Sequence, residues 1–183
     1  MTRTVADRQA ALEAGFPCWQ PCSQHGVLDA MAHRFSDRPY VITDERSWTY
    51  AELTDWSRRL AAGLLALGVK PGEKVSIILA NYPEFVALKY AISRVGAVAV
   101  PINILNRRDE LGYLLKQSDS VLLVTMDRFR DLDYLEELDA ILPGWPTKAG
   151  GDVLPLLRDI LVFPTGEGRP RAGVSLFTSL DRA

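Results

Sequence analysis

Apolar positions along this chain repeat every three or four residues in some stretches, run unbroken in others, and the two patterns alternate. Val27, Leu28, Met31 and Phe35 sit at helical spacing and SDRP then breaks the stripe, which predicts a helix over 27–35. YVITDERSWTY, at 40–50, alternates apolar and polar residues on either side of Asp44-Glu45, the pattern of a short hairpin with one buried face. Thr49 and Glu52 then form a capping box. Leu53, Trp56, Leu60, Leu64 and Leu67 carry the helix that it opens, and Gly68 and Pro71 close it.

From Lys74 the pattern changes. KVSIILA is apolar and β-branched after its first residue, as expected of a central parallel strand covered on both faces. Pro83 suits a first helical turn; Phe85, Leu88, Ile92 and Val95 form the stripe, and Gly96 ends it. VAVPI at 98–102 reads as a strand kept short by Pro101, which removes a ladder donor, so the chain should leave the sheet at Asn103. RDELGYLLKQ matches the helix dipole, with acids first and Lys116 last. SVLLVT at 120–125 is a buried strand, Tyr134, Leu135, Leu138, Ile141 and Leu142 mark a further helix, WPTKAGGD is a loop, and DILVF at 159–163 is a fourth strand. This alternation predicts an α/β fold: a doubly wound, mostly parallel sheet with helices on both faces and right-handed crossovers, plus the short hairpin.

Composition narrows the function classes. A chain of 183 residues, 48% hydrophobic and 24% charged, can bury one substantial core. A formal charge of -2 and no Lys/Arg block argue against a nucleic-acid partner. The longest apolar stretch, Leu60 to Val69, is about half of what a membrane span needs, so no transmembrane segment is expected, and the N-terminus has no signal-peptide core. A cytoplasmic protein is the expectation. Cys18, Cys22, His25 and His33 are zinc-type donors, but Pro17 and Pro21 stiffen the cysteine loop and His33 lies in a helical pattern. The expectation is no metal, with reduced cysteines beside two solvent-facing histidines.

Neither a Rossmann fingerprint nor a Walker-type Gly-Lys-Ser/Thr sequence occurs. Three blocks in order do carry a resemblance: WTYAEL from Trp48, LAAGLLALGVKPGEKVSIILANYPEFV from Leu60, and ISRVGAVAVPIN from Ile92. They resemble the opening of the adenylate-forming, AMP-binding family, which includes acyl-CoA synthetases, peptide-synthetase adenylation domains and luciferases. The first is similar to its Leu-Thr-Tyr-x-Glu-Leu motif, with Trp48 in the Leu place, and the third to its Gly-Ala-x-x-x-Pro-Ile/Leu motif.

The resemblance implies a lead-in segment over 1–26 and, over 27–183, the N-terminal portion of the family's α/β domain, without the ATP-binding loop or the C-terminal domain. It implies a whole enzyme that joins a carboxylic acid, by preference a fatty acid, to CoA through an acyl adenylate, using ATP, Mg and CoA. TGEGRPRAG at 165–173 superficially resembles the family's phosphate loop. Glu167 stands where hydroxyls are expected, the glycine interval is short by one residue and Ala172 intrudes, so a surface turn leading into VSLFTSL is the reading. The chain alone is then expected to be inactive, with the remainder of a synthetase as its partner. An exposed sheet edge would favour a homodimer or poor solubility. The alternative is a non-catalytic homologue serving as a binding or oligomerisation module.

What the resemblance leaves within these residues is part of a CoA surface. It points to Asn103, Ile104 and Leu105, packing against the adenine, and to Arg128 and Arg130, approaching the phosphates, a task that suits guanidinium groups. Read as residues alone, these are equally loop and solvated arginine, with Asp127 and Asp131 as ion-pair partners. The aromatic set Trp48, Tyr50 and Trp56 reads as core, and the acids from Asp131 to Asp139 as a helix start facing water.

Overall fold

The structure, a computed structural model, describes residues 4–15, 21–168 and 171–182. Its first half consists of α1 (Val5–Gly15), α2 (Gln24–Phe35), β1 (Pro39–Ile42), β2 (Ser47–Thr49), α3 (Tyr50–Ala66), β3 (Lys74–Ile78), α4 (Pro83–Arg94) and β4 (Val98–Pro101). Then come α5 (Arg108–Ser118), β5 (Ser120–Met126), β6 (Arg128–Phe129), β7 (Leu132–Asp133), α6 (Tyr134–Ile141), β8 (Asp159–Phe163), β9 (Ser175–Leu176) and a 3-10 helix, Phe177–Arg182.

The sheet has five strands in the order β4-β3-β5-β8-β9, every neighbour pair parallel. The expected α/β sheet is therefore present. β5 is buried at each of its positions, so both faces of the sheet are covered there. Pro101 sits at the end of edge strand β4, where its missing donor costs no ladder bond. The chain leaves the ladder as expected, after Ile102 donates its N–H to Ile77 at 2.9 Å.

Local chemistry explains the helices. α3 opens on the Thr49/Glu52 capping box, with the Glu52 N–H reaching Thr49 Oγ1 at 3.2 Å and the Thr49 N–H reaching Glu52 Oε2 at 2.8 Å. Its stripe buries Leu53, Leu60 and Leu64 completely, each worth roughly 1.5–3 kcal/mol of burial. α3 packs on α2, α4 and the 3-10 helix, while α5 packs on α6. Arg94 ties the first group together: its Nη atoms reach Asp29 of α2 at 3.0 and 2.6 Å, and its Nε reaches Ser57 Oγ of α3 at 2.8 Å. That bidentate bond holds the Asp29 carboxyl below its ordinary range.

The sequence reading needs four corrections. The lead-in contains a helix, α1, none of whose residues is buried, so it lacks the apolar stripe that signals a helix. α2 begins at Gln24, earlier than expected, because Ser23 Oγ caps it by accepting the Gly26 N–H at 3.2 Å. The hairpin's buried face is thin: Val41, Trp48 and Thr49 are half-buried, and Ile42 is 70% exposed. VSLFTSL is more than the sequel to a turn. Ser175–Leu176 forms the fifth strand, and Phe177 and Leu180 are buried against the core. Gly63 makes room for this segment, since a Cβ there would lie 2.4 Å from the Leu180 carbonyl oxygen.

Candidate nucleotide-binding edge of the sheet

Parallel strands put all their carboxyl ends on one edge. The order reverses direction at β3, with β4 on one side and β5 on the other, and in open α/β sheets ligands bind outside the carboxyl ends at such a switch point. The loops that follow β3, β4, β5 and β8 therefore make up the candidate site.

After β4, Asn103 forms a local turn: its Oδ1 accepts the Leu105 N–H at 3.0 Å and its carbonyl accepts the Asn106 N–H at 3.1 Å. Asn103 and Leu105 face outward, Leu105 being 60% exposed, whereas Ile104 is half-buried against the core. After β5 the chain makes the β6–β7 hairpin, with Arg128 half-buried and Arg130 exposed. Arg130 adopts φ 57, which lets Arg128 Nε donate to the Arg130 carbonyl at 3.2 Å, and its guanidinium lies 5.1 Å from the Phe129 ring centre.

Two contacts join these segments. Tyr134 donates its hydroxyl to the Ile104 carbonyl at 2.5 Å, and Arg107 pairs with Asp131 at 3.0 Å. Burial pushes the Tyr134 hydroxyl up to about 12, so it stays a neutral donor, and the Arg107 guanidinium holds Asp131 below the usual carboxylate range. The pairing that the sequence allows between the two arginines and Asp127 and Asp131 is not made. Asp131 goes to Arg107, Asp127 goes to a loop, and among the described residues neither Arg128 nor Arg130 forms an ion pair. The five residues singled out in the sequence thus lie on two adjoining segments of one edge, with neither guanidinium group in an ion pair among the described residues.

Arg128 also lines a cleft of about 370 Å³ with Asp127, Asp133, Glu136, Gly168 and Arg171. Arg171 is committed to Asp139, which also accepts the Trp145 indole N–H at 2.9 Å. Asp133 caps α6 by accepting the Leu135 and Glu136 N–H groups, each at 3.1 Å. Asp131, Asp133 and Asp139 are accordingly engaged in specific contacts rather than left to water.

The sequence offers Asp127 only as an ion-pair partner for the arginines, and the structure gives it a different role. It is 6% exposed, and its Oδ1 accepts the Thr165 N–H at 3.0 Å, the Thr165 hydroxyl at 2.7 Å and the Arg128 N–H at 2.7 Å. The beginning of TGEGRPRAG is thus a turn anchored to the sheet; Arg169 and Pro170 lie outside the described residues. A carboxylate directly after an unbroken apolar strand was the available signal. Tyr134 stands in a helical stripe, and nothing in the local sequence marks its hydroxyl for Ile104.

The aromatic set divides similarly. Tyr50 and Trp56 pack on the core, but Trp48 and Trp56, stacked at 6.1 Å, line a surface cleft of about 430 Å³. As for metals, no group of three or more His, Cys, Asp or Glu among the described residues could hold an ion, and Cys18 falls outside them. His33 is exposed as expected. His25 is not: it is half-buried, with Nδ1 3.0 Å from Ser93 Oγ.

An all-parallel sheet with a switch point at its carboxyl edge defines the doubly wound class of α/β protein. Within that class, the chain belongs to the AMP-binding enzyme family, which it matches over residues 28–156. It is 34% identical over 119 residues to YngI of Bacillus subtilis, whose name assigns it to the acyl-CoA synthetases, with 64% of this chain and 22% of that protein covered. Triostin synthetase I of Streptomyces triostinicus is 36% identical over 126 residues, covering 69% of this chain and 24% of its own length. The chain thus spans about a quarter or less of these curated relatives. In fold it is similar to the anthranilate CoA ligase AuaEII, at 22% identity and a TM-score of 0.74, over 89% of this chain and 29% of that one. It is also similar to the adenylation–PCP di-domain protein NpsA-ThdA of Klebsiella oxytoca, at 30% identity and a TM-score of 0.57, over 60% of this chain and 21% of that one.

Proposed function

We propose that residues 27–183 serve as part of the α/β domain of an acyl-CoA synthetase, and that Asn103, Ile104, Leu105, Arg128 and Arg130 contribute part of its CoA surface. The observation that carries this reading is the Tyr134–Ile104 hydrogen bond, which sets the loop after β4 beside the hairpin bearing two arginines that form no ion pair among the described residues. Leu105 and Ile104 suit a flat adenine, and two guanidinium groups suit phosphate oxygens through charge-assisted bonds.

In the whole enzyme, CoA would supply the thiol that attacks an acyl adenylate made from a carboxylic acid and ATP with Mg. A fatty acid is the preferred acid, in a cytoplasmic protein; no helix among the described residues is long and apolar enough to cross a membrane. These residues by themselves are scaffold and CoA surface in this reading and form no adenylate. Self-association at the edge of the sheet belongs to the same proposal, since Leu176 of edge strand β9 is 45% exposed.

Titrating CoA into the chain while following backbone amide shifts tests the reading. Saturable shifts at 103–105 and 128–130, lost in an Arg128→Ala/Arg130→Ala double variant, are expected. Absence of shifts at millimolar CoA contradicts it.

A further inference from the structure

We infer that Asp127 is a positioning residue for this edge, fixing Arg128 and the Thr165–Gly168 loop as the two walls of one nucleotide-facing cleft. The inference rests on the CoA reading above and names how that surface is held in shape. Asp127 is a buried carboxylate that pairs with no cation among the described residues, an arrangement that is unfavourable unless hydrogen bonds compensate. They do. One oxygen, Oδ1, collects the Arg128 N–H from the hairpin and both the N–H and the hydroxyl of Thr165 from the loop after β8.

The other oxygen faces Gly168, where a Cβ would stand 2.3 Å from Oδ2 and 2.5 Å from Cγ. A short, buried Asp side chain cannot move aside as a flexible one could, so the loop closes on Asp127 only because residue 168 lacks a side chain. The backbone of Asp127 extends the same junction: its N–H donates to the Phe163 carbonyl at 3.1 Å and its carbonyl accepts the Tyr134 N–H at 3.1 Å. A single residue thus links the ends of β5 and β8, the hairpin and the first turn of α6. Arg128 and Gly168, which it adjoins, both line the 370 Å³ cleft. Removing the tether would leave the β8 loop free of the cleft while the sheet below keeps its ladder.

The hydroxyl of Thr165 separates a positioning role from a merely structural one, because Thr165→Val keeps the side-chain shape and deletes one bond to Asp127, and Thr165→Ser keeps the bond. Calorimetric titration with CoA, well below each variant's thermal midpoint, is expected to show binding weakened about tenfold in Thr165→Val and restored to near the unmodified value in Thr165→Ser, with the midpoint lowered only in Thr165→Val, which loses the bonds to Asp127 and to the Glu167 N–H. Thr165→Val binding CoA as tightly as the parent overturns the inference and leaves the CoA reading standing. Equal weakening in both variants also overturns it. A parent chain that binds no CoA at all overturns the reading and the inference together.

Discussion

Tyr134 reaches from the start of α6 to the carbonyl of Ile104, and so couples the loop after β4 to the hairpin after β5. Replacing Tyr134 by Phe keeps the buried ring and leaves that carbonyl without its partner. We expect a loss of about 1–2 kcal/mol in stability and faster hydrogen exchange at the Leu105 and Asn106 amides. Denaturant melts and amide exchange read both, and unchanged exchange would show that the loop holds itself.

Glu73 accepts both Nη groups of Arg158, at 2.9 and 2.8 Å, and the Lys70 N–H at 2.8 Å. The Arg158 bond, and then the Lys70 N–H, draw its carboxyl down from 4.5 to about 2. A carboxyl depressed on folding stabilises the folded state fully above its unfolded value, and that contribution is lost as pH falls through the folded one. Stability should therefore decline between pH 4.5 and 2. Glu73→Gln should flatten that part of the profile, as acid titration of the unfolding midpoint would reveal.

Gly63 faces the backbone of Leu180 at a distance no side chain fits. Gly63→Ala should displace the 3-10 helix, at a cost of about 1–3 kcal/mol, despite alanine's better helix propensity. Urea unfolding of the variant measures the sign: a gain in stability would mean that the C-terminal segment is not docked there.

Thr54 is 3% exposed and its hydroxyl finds no partner among the described residues. Thr54→Val removes the orphan and keeps the shape, so a gain of about 1 kcal/mol is expected in the same unfolding assay.

These contacts show where sequence was informative. Periodicity located β3, β5, β8 and the helices α3 to α6 because each buries an apolar face, as with Leu53, Leu60 and Leu64 of α3. β9 escaped notice because two residues carry no period, and α1 because it buries nothing. The candidate site was legible only as residue types. That Asp131 would choose Arg107, and that Asp127 would choose Thr165, depends on which loops the strand order brings together, and no local spacing encodes that.

The central claim, that the carboxyl edge of this sheet contributes to a CoA surface, is tested most directly by titrating CoA against the chain with backbone amides as reporters. The account predicts saturable shifts at Asn103–Leu105 and Arg128–Arg130, abolished in the Arg128→Ala/Arg130→Ala double variant. Shifts that cluster elsewhere, or none at millimolar CoA, would contradict it.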